Sequence, residues 1–141
     1  MVSGAATLEF IREEGLLEHV RTVGDQLREG LLKLKSQHAC IGDVRGRGLM
    51  LGMELVDPNG QIDSQGHPQA AGDLASSVKR ACLEDGLLIE TGGRHGAVLR
   101  FLPPLVISSL QVEQILERLD RVLTQHNHSA ARVIPPVNMM E

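Results

Sequence analysis

The chain has no tryptophan and no tyrosine, and it has only two phenylalanines. Proteins that read unpaired bases stack them on aromatic rings, so this scarcity argues against nucleic-acid recognition. Acidic and basic residues are mixed along the chain, the net charge is −4, and no basic stripe offers itself to phosphates or anionic lipid. No apolar run approaches the roughly 18 residues of a membrane span. The opening MVSGAATLEFIREEG lacks the apolar stretch of a signal peptide. The two cysteines, Cys40 and Cys82, have neither metal-site nor redox-motif spacing. They read as buried free thiols in a reducing compartment, and the composition points to the cytoplasm.

What remains is ordinary globular material. With 141 residues, 42% of them hydrophobic and 23% charged, one domain is expected. Such a chain can bury roughly two thirds of its unfolded surface. The spacing of Leu17, Val20, Val23, Leu27, Leu31 and Leu34 predicts an amphipathic helix within about Thr7–Ser36. Gly15 interrupts the pattern, so Leu8, Phe10 and Ile11 belong to a separate first helix or to a kinked one. From Cys40 the period changes. Ile41–Val44 and Leu49–Val56 read as strands joined through Arg45-Gly46-Arg47-Gly48, and Asp57–Pro68 reads as an exposed loop rich in turn formers.

Ala70–Glu84 returns to helical spacing, with Gly86 placed as its C-terminal cap. Leu87–Glu90 and Ala97–Phe101 read as strands linked through Gly92–Gly96, and Pro103-Pro104 stops the second. Ser108 with Gln111 forms a capping box, and Ile107 with Val112 a hydrophobic staple, for a last helix through about Gln125. The expectation is an α+β fold: a small, mostly antiparallel sheet with helices packed on one face. The domain is expected to span residues 1–126, followed by a loosely ordered tail over 127–141.

Few residues offer chemistry. No nucleophile motif is present. The only lysines are Lys33, Lys35 and Lys79, all on polar helix faces and none in the desolvated setting of a Schiff base. His126 and His128, two apart near the C-terminus, lack the spacing that aims two imidazoles at one metal, and His95 stands alone between glycines. The Arg45–Gly48 stretch is either a tight turn between solvated arginines or a loop approaching a ligand.

Arg100 is the residue that demands an explanation. On its strand, Ala97, Leu99 and Phe101 point one way while Val98 and Arg100 point the other. A guanidinium in an apolar strand needs a carboxylate, and Glu54 or Glu90 could supply it as a salt bridge. An anionic ligand is the other solution, because the planar fork of arginine grips a carboxylate with two parallel hydrogen bonds.

The segments AATLEFIREEGLLEHV, IGDVRGRGLMLGMELVDP and DGLLIETGGRHGAVLRFLPPLVIS, followed by an amphipathic helix, occur in the order found in class III aminotransferases. The chain resembles the C-terminal small domain of these fold-type I enzymes from about residue 5 to 125. The likeness is strongest in VRGRGLMLGMEL and in the R-x-x-P-P-L pattern of Arg100–Leu105. The wording ETGGRHGAVLRFLPPL is most similar to the diaminobutyrate–2-oxoglutarate branch.

The resemblance implies that Arg100 binds a carboxylate of the amino-acid or 2-oxo-acid substrate. It implies pyridoxal phosphate as the cofactor of the parent enzyme, held by a large domain that carries the Schiff-base lysine. That domain and a small carboxylate are the implied partners, and the chain is expected to be a fragment of such an enzyme. No bound cofactor and no activity are expected of the chain alone. Two other readings stay open: a stand-alone module that binds a small carboxylate or a protein, and self-association through the first helix.

Overall fold

The computed structural model describes the backbone of residues 2–131 and the side chains of residues 3–126. Helix α1 (Val2–Glu13) ends at Gly15, whose left-handed backbone (φ 60°, ψ 29°) starts helix α2 (Leu16–Gln37) on a new axis. Of the two alternatives left by the sequence, a separate first helix is the one found, and the break resets the helical phase. Leu16 rather than Leu17 heads the buried stripe that continues through Val23, Leu27, Leu31 and Leu34, and Leu17 is 68% exposed.

The sheet has four strands: β1 (Ile41–Arg47), β2 (Met50–Leu55), β3 (Glu90–Gly92) and β4 (Val98–Phe101). Their spatial order is β1-β2-β4-β3, and every pairing is antiparallel. The hairpin closes where Arg47 faces Met50, so the turn is Gly48-Leu49. Arg45, Gly46 and Arg47 lie inside β1, not in the expected connection. Their outward face carries no apolar cover, which made a strand look like a loop. One face of the sheet, with Val44, Leu51, Met53, Leu55, Leu99 and Phe101, is buried in a single core together with residues of α2, α3 and α4. Each fully buried aliphatic side chain of that core contributes about 1.5–3 kcal/mol.

Helix α2 comes very close to the β1–β2 turn. A Cβ on Gly24 would lie 2.6 Å from the carbonyl carbon of Gly48, so only glycine allows this approach. The loop after β2 is exposed, as expected, and is tied by bridges between Val56 and Ala70 and between Ile62 and Pro68. Asp57 organises its first turn, accepting the Asn59 N–H at 2.9 Å on its side chain.

Helix α3 (Gly72–Glu84) ends in a Schellman pair of bonds, Leu87 N–H to the Cys82 carbonyl and Gly86 N–H to the Leu83 carbonyl. Leu87 and Ile89 then enter the core while Leu88 stays 75% exposed. Their alternation marks burial without a ladder: the paired strand begins only at Glu90, later than the expected Leu87–Glu90. Helix α4 (Ser109–Ala131) starts in the expected capping box. Ser108 Oγ accepts the Gln111 N–H at 3.2 Å, and Gln111 Oε1 accepts the Ser108 N–H at 2.9 Å. The helix runs past Gln125, and residues 132–141 of the expected tail lie outside the described residues.

Among the described residues, no helix is long and apolar enough to cross a membrane. Gly24→Ala should lower stability by about 1–3 kcal/mol, because the methyl meets backbone that cannot rotate away. Ser108→Ala should cost about 1 kcal/mol through loss of the cap. Urea denaturation followed by circular dichroism measures both, and a Gly24→Ala protein as stable as the parent would refute the close packing.

Candidate functional site

Strand β4 presents its two faces as the alternation requires. Leu99 and Phe101 are buried in the core, and Arg100 points from the other face and is exposed. Val98 shares the face of Arg100 but is nearly covered, because the backbones of Gly52 and Gly93 close on it: a Cβ there would lie 3.1 Å and 2.6 Å from its methyl groups. Arg100 faces Gly52 on β2 and Glu90 on β3. Its stem lies over Gly92, where a Cβ would stand 2.9 Å from Arg100 Cδ and 3.5 Å from Nη1. Gly92 therefore gives the arginine side chain its space. The sequence marks Gly92 only as a turn glycine, since the contact needs the β3–β4 register to be known.

The two carboxylates that the sequence offers to Arg100 are bonded elsewhere. Glu54 accepts from Arg45 Nη1 at 2.8 Å, and Arg45 also reaches Asp43 at 2.9 Å. Glu90 accepts from Lys79 Nζ at 2.8 Å. Hydrogen bonding by Lys79 holds the Glu90 carboxyl below the usual carboxylate range, and the nearby charge of Arg100 adds the smallest contribution. The Arg45 hydrogen bond does the same for Asp43. Among the described residues Arg100 itself makes no hydrogen bond and no ion pair.

Beside Arg100 an open groove of about 500 Å³ runs between the segment before β3 and the start of α4. Its floor is apolar, with Ile89, Phe101, Pro103 and Ile107, and Arg118 lies at its side, donating to the Asp85 carbonyl. Leu88, Leu102, Leu105, Val106 and Leu110 are exposed in the segments that form it.

The other candidates lie away from Arg100. His126 is the last residue of the expected domain. It sits on α4 with its ring against Ser77 at 3.1 Å and the Val122 carbonyl at 2.9 Å, whereas the side chain of His128 lies outside the described residues. His95 lines a polar hollow with Arg94, Asp63 and His67. Asp63 serves its own loop there, and the backbone N–H of His67, foremost among its bonds, lowers its pKa. Among the described residues no group of three or more histidine, cysteine or acidic side chains could hold a metal. Lys33 is exposed, Lys35 faces Asp43 at 3.9 Å and Lys79 holds Glu90.

The family model described as Aminotransferase class-III matches residues 1–123. This chain belongs to the class III aminotransferases. It is 42% identical over 131 residues to the diaminobutyrate–2-oxoglutarate aminotransferase of Rhizobium meliloti, covering 93% of this chain and 28% of that protein. With the enzyme of that name from Haemophilus influenzae the identity is 36%, over 84% of this chain and 26% of that one.

Among solved structures, an aminotransferase from Bacillus anthracis superposes with a TM-score of 0.72 at 34% identity, over 86% of this chain and 27% of its own. An Arthrobacter phospholyase solved with phosphoethanolamine gives 0.78 at 28% identity, over 86% and 27%. The chain thus spans about a quarter of the length of these relatives. Its α+β architecture is that of a part of the fold-type I aminotransferases.

Class III aminotransferases use pyridoxal phosphate. The described residues do not fit that group, because each lysine lies on a helix surface and two of the three face carboxylates.

The two cysteines are buried free thiols, as expected, and take no part in this site. Burial, with the Asp85 charge adding to it, pushes the Cys82 thiol up to about 11, and burial also raises that of Cys40. At pH 8 only about one Cys82 in a thousand is thiolate. Iodoacetamide should therefore label neither thiol in the folded protein at pH 8, and both in urea. Fast labelling of folded Cys82 would contradict its burial.

Proposed function

We propose that this chain works as the C-terminal small domain of an aminotransferase that moves an amino group between 2,4-diaminobutyrate and 2-oxoglutarate, with Arg100 holding a substrate carboxylate. The observation that carries this reading is the state of Arg100. It is exposed at the edge of a groove, free of hydrogen bonds among the described residues, and bordered by acids that are bonded to other cations. The similarity to two diaminobutyrate–2-oxoglutarate aminotransferases supports the substrate pair.

The role of the residues follows from geometry. A guanidinium fixed on a strand offers two parallel N–H donors, and a carboxylate that accepts both is held in one plane. Binding energy spent on that non-reacting group orients the rest of the substrate for proton transfer at its α-carbon. Gly92 keeps the space that the arginine stem needs. The cofactor, when bound, supplies the electron sink, and a larger partner domain would hold it. The exposed apolar side chains in and beside the groove, Leu88 and Leu102 in its lining and Leu105 and Val106 next to it in the chain, fit burial against that domain.

Loss of a charged hydrogen bond typically costs 1.5–3 kcal/mol, so Arg100→Ala in the enzyme carrying this domain should raise the KM for 2-oxoglutarate about tenfold or more. An unchanged KM for both carboxylate substrates would remove Arg100 from the substrate site. The chain alone, mixed with an amino donor, 2-oxoglutarate and pyridoxal phosphate, should form glutamate no faster than the free cofactor does. Faster formation would overturn the assignment of catalysis to another domain. Because Arg100 faces solvent here, a second reading is a module that binds small carboxylates by itself. Affinity of the chain alone for 2-oxoglutarate, lost in Arg100→Ala, would favour it.

A further inference from the structure

The sheet surrounds Arg100 with acids that ought to claim it. Glu90 is its register partner on β3, and directly opposed residues of an antiparallel pair have Cβ atoms about 4.5–5.5 Å apart. Glu54 lies on β2 two residues beyond Gly52, the register partner of Arg100 on its other side, and so shares its face. That diagonal separation of about 7–8 Å is within reach of long side chains. By position alone, both acids could fold onto the guanidinium and fill the donors that a substrate carboxylate requires.

Neither does. Glu90 is drawn toward the helix layer by Lys79 of α3 at 2.8 Å. Glu54 is drawn toward the far side of the sheet by Arg45 of β1, also at 2.8 Å. Glu54 stands at equivalent diagonal positions from Arg45 and Arg100, since both arginines flank Gly52 in register. Arg45 is also bonded to Asp43, which fixes its fork on the β1 side.

We propose that Lys79 and Arg45 are positioning residues for the carboxylate clamp, holding Glu90 and Glu54 off Arg100 so that its guanidinium stays open to substrate. The inference rests on the reading of Arg100 as that clamp. Neither residue touches substrate in this scheme; each acts through the acid it restrains. Both pairs are at least partly exposed, with side-chain exposures of 35% and 62% for Lys79 and Glu90, and 54% and 25% for Arg45 and Glu54. Their influence is accordingly graded, not all-or-none.

The test takes Lys79→Met in the enzyme carrying this domain, with 2-oxoglutarate as the probe. It also records the side-chain N–H signals of Arg100 by NMR in the substrate-free chain. Lys79→Met should raise the KM by up to about fivefold, the upper end of the range of an exposed ion pair, with kcat unchanged. Lys79→Arg should keep the parent KM, and Lys79→Met with Glu90→Gln should restore it. In Lys79→Met, the Arg100 N–H signals should shift and then return as Glu90 is protonated. Arg45→Met, alone and with Glu54→Gln, should behave in the same way.

A higher KM with unmoved Arg100 signals would mean that only positive field was lost, and would overturn the inference. So would an unchanged KM in both methionine variants while Arg100→Ala raises it, which leaves the clamp standing. An unchanged KM in Arg100→Ala would remove the clamp and this inference together.

Discussion

Strand β4 is bonded on both sides, and its alternation governs the rest of the outer face. Leu99 and Phe101 are anchored in the core, so Arg100 between them has only the opposite face available. A slip of one residue would bury the guanidinium and expose two core side chains, which makes the register strongly specified. With that register set, the neighbours of Arg100 follow: a glycine on one side, an acid on the other, and the acid of the next row within reach.

Glycine and charge then divide the work of shaping this surface. Gly52 leaves Arg100 no side chain to lean on toward β2, and Gly92 leaves its stem a bare stretch of backbone toward β3. The acids are arranged by cations that come from different layers, Lys79 from a helix and Arg45 from the neighbouring hairpin strand. Individually such partly exposed pairs add little to stability. Their effect lies in direction, because a carboxylate bonded on one side is absent on the other.

Features encoded within one turn of chain were legible in the sequence. The capping box of α4 depends on residues three apart, and the alternation of β4 on immediate neighbours, and both are found where expected. Leu17 fits the apolar spacing yet is exposed, because the break at Gly15 changes the helical phase, which no spacing rule reports. Arg45–Arg47 read as a connection because a strand face without apolar residues carries no burial signal. Leu87 and Ile89 gave a strand signal from burial alone, while the ladder depends on what lies beside them. For the site, Arg100 stood out as a charge in an apolar run. The partners of Glu54 and Glu90 did not, since they depend on strand order and on the placement of α3, which are tertiary facts.

Among the described residues, the order β1-β2-β4-β3 leaves β1 and β3 each with an unpaired edge. An unpaired edge is a template for another chain, and proteins blunt it with shortness, bulges or charge. Here β3 is only three residues long, while β1 has a register irregularity between Ile41 and Asp43 and carries Asp43, Arg45 and Arg47. Arg45, described above for its hold on Glu54, thereby also discourages sheet-to-sheet aggregation. One side chain guards a solubility boundary and sets the electrostatics of the strand beside it.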